Sequence, residues 1–311
     1  MRILVLGAGG TGGFFGGRAA QAGVDVTFLV RPARAALLRE KGLRIKTKDG
    51  TDVIQPKLVT ADALGGPYDV VILSCKAYDL DGAIESLKPI MQQNPKAAIL
   101  PILNGMRHYD ALDAAFGKER VLGGLCQVTA TIGPDGEIVI MGPFGAIIFG
   151  EREGGLSERG EAIRQALEPA SFTTKLSADI YQDVWEKYTF LCTLAAATCL
   201  MRGSVGEIVR AAGGEHFMRS LLIEINGVAQ GHGHGMRPNA EAFTVGALTD
   251  PASGVTASMF RDLRQGGQIE GEHLIGDMVQ RAEKLGLKAP CLRTAYTHIQ
   301  VYLAQRAAQQ A

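Results

Sequence analysis

The sequence lacks several features that would assign it to a specialised class of protein. Its 311 residues include 32 lysines and arginines against 32 aspartates and glutamates, so the formal net charge is zero. A nucleic-acid-binding protein normally carries a basic excess, and the whole-chain balance shows none. The five cysteines contain no C-x-x-C pair. That absence disfavours a disulfide framework or a zinc site and favours a cytoplasmic protein with free thiols.

Long apolar runs are also scarce. The N-terminal run Ile3–Leu6 is too short for the core of a signal peptide, which needs about 7–15 residues. The uncharged stretch 188–201 falls short of the roughly 20 residues that cross a bilayer. With 46% hydrophobic and 21% charged residues, the composition predicts a globular protein without a membrane partner.

Glycine, in contrast, is abundant, with 40 residues, and seven of these fall within the first 17 positions. The segment Gly7-Ala8-Gly9-Gly10-Thr11-Gly12 fits the pattern G-x-G-x-x-G between an apolar strand and a helix. In such a turn the first glycine permits the tight bend, and the second lets the backbone approach a pyrophosphate. The third glycine, here with Gly16, lets the helix pack closely on the sheet. The segment therefore predicts a dinucleotide site, with a loop that is merely rich in glycine as the alternative.

The chain predicts an α/β protein with two parts. Short β-type runs alternate with helical stretches in the first half, which indicates a Rossmann-type, doubly wound parallel sheet. Asp49-Gly50 predicts a hairpin between strands 43–48 and 53–59. Strand patterns stop after Ser177, and helical patterns such as 179–201 and 268–286 follow. We therefore expect a cofactor-binding domain at 1–177 and an all-α domain at 178–311.

The residues after two predicted strands favour NADP over NAD. NAD-binding sites tend to place a carboxylate after the second strand, whereas this sequence has Arg31 and then Arg34. A cation there suits the 2′-phosphate of NADP, although two surface arginines at a helix start explain the pattern too. Lys76 follows the strand 70–74 and is a second candidate for the phosphate.

Lys187 lies within an apolar stripe of a predicted helix. Its neighbours at helical spacing are Val184, Tyr188, Leu191 and Cys192. An apolar setting disfavours the charged form of a lysine and lowers its pKa, which makes it a usable proton donor near neutral pH. The alternative is a lysine at the helix edge that reaches solvent or pairs with Asp183.

Other polar residues are weaker candidates. Asn104 follows the strand 97–103, and Ser258 and Glu270 flank a Gly266-Gly267 break in the helical half. The histidines of the run 231–235 lack a third ligand at metal spacing, so we interpret the run as a solvated helix end. No metal is expected.

Taken together, these residues resemble the ketopantoate reductase (2-dehydropantoate 2-reductase) family over nearly the whole chain. The residues that carry the resemblance are the glycine motif 7–12, Arg31, Lys76-Ala77-Tyr78, Asn104-Gly105-Met106, Trp185-Glu186-Lys187, Ser258-Met259, Asp262 and Glu270.

The resemblance implies reduction of 2-dehydropantoate to pantoate by NADPH, a step of pantothenate biosynthesis. It implies that Lys187 donates a proton and that Asn104 touches both cofactor and substrate. Ser258 and Glu270 would line the cleft, and Glu270 and Ala130 would match cofactor contacts. A lysine donor suits the chemistry, because hydride arrival builds negative charge on the carbonyl oxygen.

The sequence departs from the family at three positions. Leu191, Ala195 and Val205 stand where family members commonly carry asparagines that bind substrate, which favours a more apolar 2-keto acid as an alternative substrate. Arg202 is a candidate replacement anchor for a carboxylate, or else a helix C-terminal cation that complements the dipole. A non-catalytic NADP-binding sensor is a further alternative.

The last helix leaves the oligomeric state open. Its residues Tyr296, Ile299, Tyr302 and Leu303 are explained equally by a homodimer contact and by an ordinary core helix.

Overall fold

The structure is a computed structural model that describes residues 1–142 and 145–310. It divides into two compact units. The first holds Met1–Leu103 and His108–Tyr181, and the second holds Asn104–Arg107 and the chain from Gln182 onward. The sequence prediction placed the division near residue 177. In the structure it lies between residues 181 and 182, and the short segment 104–107 groups with the second unit.

The main sheet of the first unit has five parallel strands. These are β1 (Arg2–Leu6), β2 (Asp25–Leu29), β5 (Lys57–Val59), β6 (Val70–Leu73) and β7 (Ala98–Pro101), in the order β5-β2-β1-β6-β7. The runs in β6 and β7 are buried throughout, as expected for strands covered on both faces. Because β1 is central, the chain winds outward from it in both directions, which confirms the predicted Rossmann-type sheet.

Two smaller sheets complete the β structure of this unit. The first contains β3 (Leu43–Thr47), β4 (Gly50–Ile54), β9 (Ala130–Ile132) and β10 (Ile138–Ile140), in the order β4-β3-β10-β9. The second contains β8 (Gly123–Gln127), β11 (Ala146–Gly150) and β12 (Thr173–Leu176), in the order β12-β11-β8. The helices of this unit are α1 (Gly10–Gln21), α2 (Pro32–Lys41), α3 (Leu80–Gln93), α4 (Arg107–Phe116) and α5 (Glu158–Leu167).

The predicted hairpin is correct in its turn and wrong in its second strand. β3 and β4 pair antiparallel around Asp49-Gly50, but the strand ends at Ile54. β5 then begins at Lys57 and pairs with β2 of the main sheet. Pro56 separates the two, since a proline has no N–H to donate to a ladder.

The second unit is helical, which confirms the predicted all-α part. Its helices are α6 (Ile180–Met201), α7 (Val205–Arg210), α8 (Gly214–Gly231), α9 (Pro238–Leu248), α10 (Ser258–Arg264), α11 (Asp277–Lys284) and α12 (Pro290–Gln310). The predicted helix 268–286 is wrong at its start, because residues 268–270 are not helical. A π-helical segment, Glu272–Gly276, then precedes α11. Among the described helices, none is both long and apolar enough to span a membrane.

Candidate functional site

The glycine-rich turn lies where the loops after β1 and β6 meet. Gly7 has φ +95°, a left-handed conformation that favours glycine. Ser74, directly after β6, donates its hydroxyl to the Leu6 carbonyl at 2.8 Å. A Cβ on Gly12 would overlap the Ser74 hydroxyl and lie 2.5 Å from the Gly7 carbonyl oxygen. Helix α1 therefore approaches the sheet closely only because position 12 has no side chain.

The N-terminus of α1 offers open space and backbone N–H groups. Gly9 is the N-cap residue, and a Cβ there would meet nothing within 4 Å. A Cβ on Gly10 would lie 3.2 Å from the Ala130 carbonyl oxygen, so β9 runs beside this turn. The first turn, which includes the half-buried Thr11, has no acidic residue. These features fit the pyrophosphate of a dinucleotide, which the positive end of a helix stabilises.

The two arginines after β2 differ in what they contact. Arg34 donates to the carbonyl oxygens of Ala8 at 2.9 Å and Gly136 at 2.7 Å, and so holds the glycine-rich turn. Arg31 is the N-cap residue of α2, its side chain is 80% exposed, and its guanidinium lies 2.5 Å from Asp79. No local sequence signal predicts this carboxylate, because it comes from the segment after β6.

Lys76 lies in that same segment. It is half-buried and caps a short 3₁₀ turn, Ala77–Asp79. Its backbone follows the carboxyl end of β6, the strand next to β1 in the main sheet. Ligands of open α/β sheets bind at this edge, where the strand order reverses.

Helix α6 is more deeply buried than the stripe argument predicted. Residues 192–199 are all buried, whichever side of the helix they lie on, while Leu191 within the stripe is only half-buried. A helix that is apolar all round belongs to the interior of a unit, and no single face distinguishes Lys187. Its importance has to come from its contacts.

Lys187 and Asn104 meet in the second unit. The Lys187 Nζ donates to the Asn104 Oδ1 at 3.1 Å, and both residues are half-buried. Asp183, the predicted alternative partner of the lysine, forms an ion pair with Arg237. The contact places a cationic donor beside an amide oxygen on two elements that are distant in sequence.

The residues before Lys187 fix the rotation of α6. The Trp185 ring is buried and stacks on His232 and His234, with centroids 5.3 and 5.8 Å away, and Arg281 lies over it at 5.3 Å. The predicted solvated histidine run is therefore wrong: both imidazoles are half-buried against the tryptophan.

Glu186, the next residue of α6, is held by hydrogen bonds. It accepts hydrogen bonds from the backbone N–H of Arg237 at 2.9 Å, from the Arg237 Nε at 2.7 Å and from Gln182 at 3.1 Å. Burial alone would raise the pKa of Glu186, but the Arg237 and Gln182 hydrogen bonds outweigh it and hold the pKa below its ordinary value. The motif Trp185-Glu186-Lys187 thus combines two anchoring residues with the candidate proton donor.

Glu270 and Ser258 lie on separate segments of the second unit. Glu270 is half-buried just before the π-helical segment, and its backbone carbonyl accepts from the Leu274 N–H at 3.0 Å. Its charge acts on His273, a residue that the sequence analysis missed because an isolated histidine in a helical pattern carries no signal. Ser258 is exposed at the start of α10.

The positions that depart from the family pattern differ in burial. Ala195 is 2% exposed and Val205 is fully buried, whereas Leu191 is half-buried. Arg202 is exposed just past the end of α6 with φ 55°. A cation at that position complements the helix dipole, as one of the two predicted roles requires.

The aromatic residues of α12 are used within the second unit. Tyr302 donates to the Gly267 carbonyl at 2.6 Å, Tyr296 donates to Glu272 at 2.9 Å, and Ile299 is fully buried. An internal packing role accounts for these three side chains, and a homodimer stays an untested prediction.

Comparison with known proteins shows the family of the chain. A family model described as ketopantoate reductase PanE/ApbA matches residues 3–154, and the model of its C-terminal part matches residues 179–303. An uncharacterised oxidoreductase, YkpB, of Bacillus subtilis is 39% identical over 98% of this chain and 100% of its own length.

Two further relatives carry a more specific name. A 2-dehydropantoate 2-reductase of Halobacterium salinarum is 28% identical, with 94% of this chain and 96% of that protein covered. The crystal structure of 2-dehydropantoate 2-reductase from Methylococcus capsulatus matches with a TM-score of 0.86 and 25% identity, over 98% of both chains. The chain therefore belongs to the ketopantoate reductase family of NAD(P)H-dependent keto acid reductases and is an oxidoreductase that acts on CH–OH groups.

Proposed function

We propose that the chain reduces a 2-keto acid to a 2-hydroxy acid with NADPH, and that 2-dehydropantoate is the first candidate substrate. Pantoate would then be the product, and the reaction would serve pantothenate biosynthesis. The observation that carries this proposal is the contact of 3.1 Å between the Lys187 Nζ and the Asn104 Oδ1. It supplies a held proton donor of the kind that carbonyl reduction requires.

The proposed reaction consists of one hydride transfer and one proton transfer. When bound, the nicotinamide would supply the hydride that adds to the carbonyl carbon of the substrate. As the C=O double bond becomes single, the carbonyl oxygen takes a proton from the Lys187 ammonium, and the neutral amine regains a proton from solvent. Asn104 keeps the Nζ in one position through its side-chain oxygen, so that the donor is already oriented when charge develops on the substrate oxygen.

NADPH is proposed from the first unit. The open space at Gly9 and the N–H groups of α1 would hold the pyrophosphate, with Ala130 beside Gly10. The exposed guanidinium of Arg31 would meet the 2′-phosphate, and Lys76 follows the neighbouring strand. No carboxylate of α2 competes in its first turn.

The direct test is NADPH oxidation by purified protein across a panel of 2-keto acids that differ in size and polarity. We expect turnover of at least one, with NADPH preferred over NADH. Tight NADPH binding without turnover of any 2-keto acid would contradict the proposal and favour a cofactor-binding sensor.

A more apolar 2-keto acid is the second candidate substrate. Leu191, Ala195 and Val205 stand where family members commonly carry asparagines, and Ala195 and Val205 are buried. A site with hydrogen-bonding groups selects a hydroxylated substrate over one that lacks the hydroxyl, and a site without such groups does not. A bulkier substrate with a higher kcat/KM than 2-dehydropantoate would support this candidate.

The double variant Leu191→Asn, Ala195→Asn separates the two candidates. If the apolar residues set specificity, the ratio of kcat/KM for 2-dehydropantoate to that for the apolar substrate rises in the variant. Because position 195 is buried, its thermal midpoint is measured alongside, and Leu191→Asn alone serves as the milder variant. An unchanged ratio in both folded variants would contradict a role for these positions.

A further inference from the structure

Arg34 joins two turns of the first unit that are far apart in sequence. Its Nη2 donates to the carbonyl of Ala8, within the glycine-rich turn, at 2.9 Å, and its Nη1 donates to the carbonyl of Gly136 at 2.7 Å. Gly136 belongs to the turn between β9 and β10. A guanidinium presents its N–H donors in a rigid planar fork, so the two hydrogen bonds together fix the position of one turn relative to the other.

The turn between β9 and β10 is closed by its own hydrogen bonds and packs on α2. The Gly133 N–H donates to the Glu137 carbonyl at 2.7 Å, and the Gly136 N–H donates to the Gly133 carbonyl at 3.0 Å. Gly136 has φ +77°, and a Cβ there would lie 2.5 Å from the Leu37 Cδ2 and 2.9 Å from the Arg34 Nη1. The turn therefore lies directly against two side chains of α2, and position 136 has no room for a side chain.

The strands on either side of this turn lie against the start of α1. A Cβ on Gly10 would lie 3.2 Å from the Ala130 carbonyl oxygen of β9, and one on Gly13 would overlap the Ile138 side chain of β10. These glycines belong to the first turn of α1, whose N–H groups are the candidate pyrophosphate site. Arg34 thus ties the β9–β10 hairpin to the residue that precedes these N–H groups.

The setting of Arg34 differs from that of a phosphate ligand. Burial, and then the charge of Arg44, lower the pKa of Arg34, although a guanidinium remains protonated at neutral pH. A half-buried cation needs acceptors, and the two carbonyls supply them. The Arg31 side chain, in contrast, is 80% exposed. Of the two arginines that the sequence offered for the 2′-phosphate, only Arg31 reaches far into solvent.

We propose that Arg34 is a positioning residue for the dinucleotide: by fastening the turn 133–136 to Ala8, it sets the shape of the pyrophosphate site and does not contact the 2′-phosphate. This inference rests on the proposed function, because it assigns a role within the cofactor site of that function. The pyrophosphate is common to NADPH and NADH. Loss of Arg34 should therefore weaken both cofactors alike, whereas loss of a 2′-phosphate contact would weaken NADPH alone.

The test breaks the connection from each side. Arg34→Leu removes both hydrogen bonds, whereas Gly136→Ala keeps every charge and displaces the turn from α2. We expect each variant to raise the Kd of NADPH and the Kd of NADH by roughly 10-fold, with the ratio of the two within about 2-fold of the wild-type ratio. Fluorescence titration measures both constants. At saturating NADPH, kcat should change by less than about 3-fold, because the reaction residues are intact.

Gly23→Ala is the matched control. Gly23 has φ +86° and follows the opposite end of α1, where a Cβ meets nothing within 4 Å. The variant carries the same kind of backbone strain without touching the hairpin, so its thermal midpoint should fall while both Kd values stay at the wild-type level.

Three results would overturn the proposal. If Arg34→Leu loses affinity for NADPH and keeps it for NADH, Arg34 holds the 2′-phosphate instead. If folded Arg34→Leu keeps both wild-type Kd values, it positions nothing. If Arg34→Leu loses both cofactors and folded Gly136→Ala loses neither, the charge of Arg34 matters and the place of the turn does not.

Hydrogen exchange tests the connection without any cofactor. The backbone amides of Gly133 and Gly136 should exchange at least about 10-fold faster in Arg34→Leu than in the wild type, and at the wild-type rate in Gly23→Ala. Unchanged exchange in Arg34→Leu overturns the inference. If instead the wild-type protein binds neither NADPH nor NADH, the proposed function fails, while the exchange rates still decide whether Arg34 holds the hairpin.

Discussion

At the residue scale, Arg31 and Arg34 are close in sequence but make different contacts. Arg34 is satisfied by two backbone carbonyls and stabilises the glycine-rich turn, whereas Arg31 extends into solvent beside Asp79. An exposed ion pair of this kind contributes about 0–1 kcal/mol. A ligand phosphate can therefore displace the Asp79 carboxylate from Arg31 at little cost.

Removing that carboxylate should favour NADPH. Asp79→Asn eliminates a competitor for Arg31 and a negative charge near the 2′-phosphate, so we expect NADPH to bind up to about 5-fold more tightly and NADH to change little. Fluorescence titration of both cofactors measures the two Kd values. Arg31→Ala is the companion variant and should weaken NADPH far more than NADH; equal losses would mean that Arg31 does not hold the 2′-phosphate.

At the element scale, the fit of α1 against the sheet depends on missing side chains. At Gly12 a Cβ would overlap Ser74 and crowd the Gly7 carbonyl, and at Gly16 it would lie 2.7 Å from the Phe28 ring. The same helix start is the candidate pyrophosphate site. The packing of α1 and the binding of a pyrophosphate therefore both favour glycine at the start of this helix.

Gly12→Ala should weaken both the packing of α1 on the sheet and the binding of NADPH. Because the clash involves backbone, the helix has to shift, and we expect a lower thermal midpoint together with at least about 10-fold weaker NADPH binding. Gly82→Ala in α3 is the matched control, since a Cβ there meets nothing within 4 Å. It should be neutral or stabilise by about 0.5–1 kcal/mol. Full NADPH affinity in a folded Gly12→Ala variant would contradict this account of the turn.

The elements also show what sequence reasoning can reach. The buried strands and the glycine motif were predictable because apolar runs and glycine spacing are local signals. The end of β4 at Ile54 and the π segment Glu272–Gly276 were missed, since each depends on how neighbouring elements pair and pack. Residues brought together over long separations, such as Arg31 with Asp79, leave no local trace.

The residues of the candidate reaction site also fall into those that the sequence predicts and those that it does not. Lys187 and Asn104 were candidates from the helical stripe and from a strand end, and the resemblance to the family then gave each a role. The structure adds their contact. His273 was missed because nothing in its sequence neighbourhood distinguishes it from other helical positions. The apolar stripe around Lys187 proved uninformative, because most of α6 is buried regardless of position.

At the scale of the whole molecule, the candidate residues are divided between two units. The cofactor candidates lie in the first unit apart from Asn104 and Glu270, and the reaction candidates lie in the second. The segment 104–107 follows the first unit's strand β7 in sequence and belongs to the second unit. The balanced overall charge gives no sign of this arrangement, in which the candidate cation Arg31 lies in the first unit and Lys187 in the second.

The second unit should lose stability in mild acid. Burial lowers the pKa values of His232, His273 and His298 from the ordinary value of 6.5. Between pH 6.5 and the lower folded values, the unfolded chain binds protons that the folded protein does not, so stability is present above pH 6.5 and is lost as the pH falls. We expect the midpoint temperature of thermal unfolding to be lower at pH 5.5 than at pH 7.5.

His298→Leu provides the control for that profile. It removes one of the three titrating groups, so its midpoint should depend less steeply on pH over the same range. A wild-type midpoint that stays constant or rises on acidification would contradict the assignment of neutral buried histidines.

The most direct measurement of the central claim is the turnover number of Lys187→Ala with NADPH and the best 2-keto acid of the panel. If Lys187 donates the proton, kcat falls by about 10²- to 10⁴-fold while the Kd for NADPH stays close to that of the wild type. Lys284→Ala, an exposed lysine of α11, should keep the full rate. A folded Lys187→Ala variant that turns over at the wild-type rate would contradict the account.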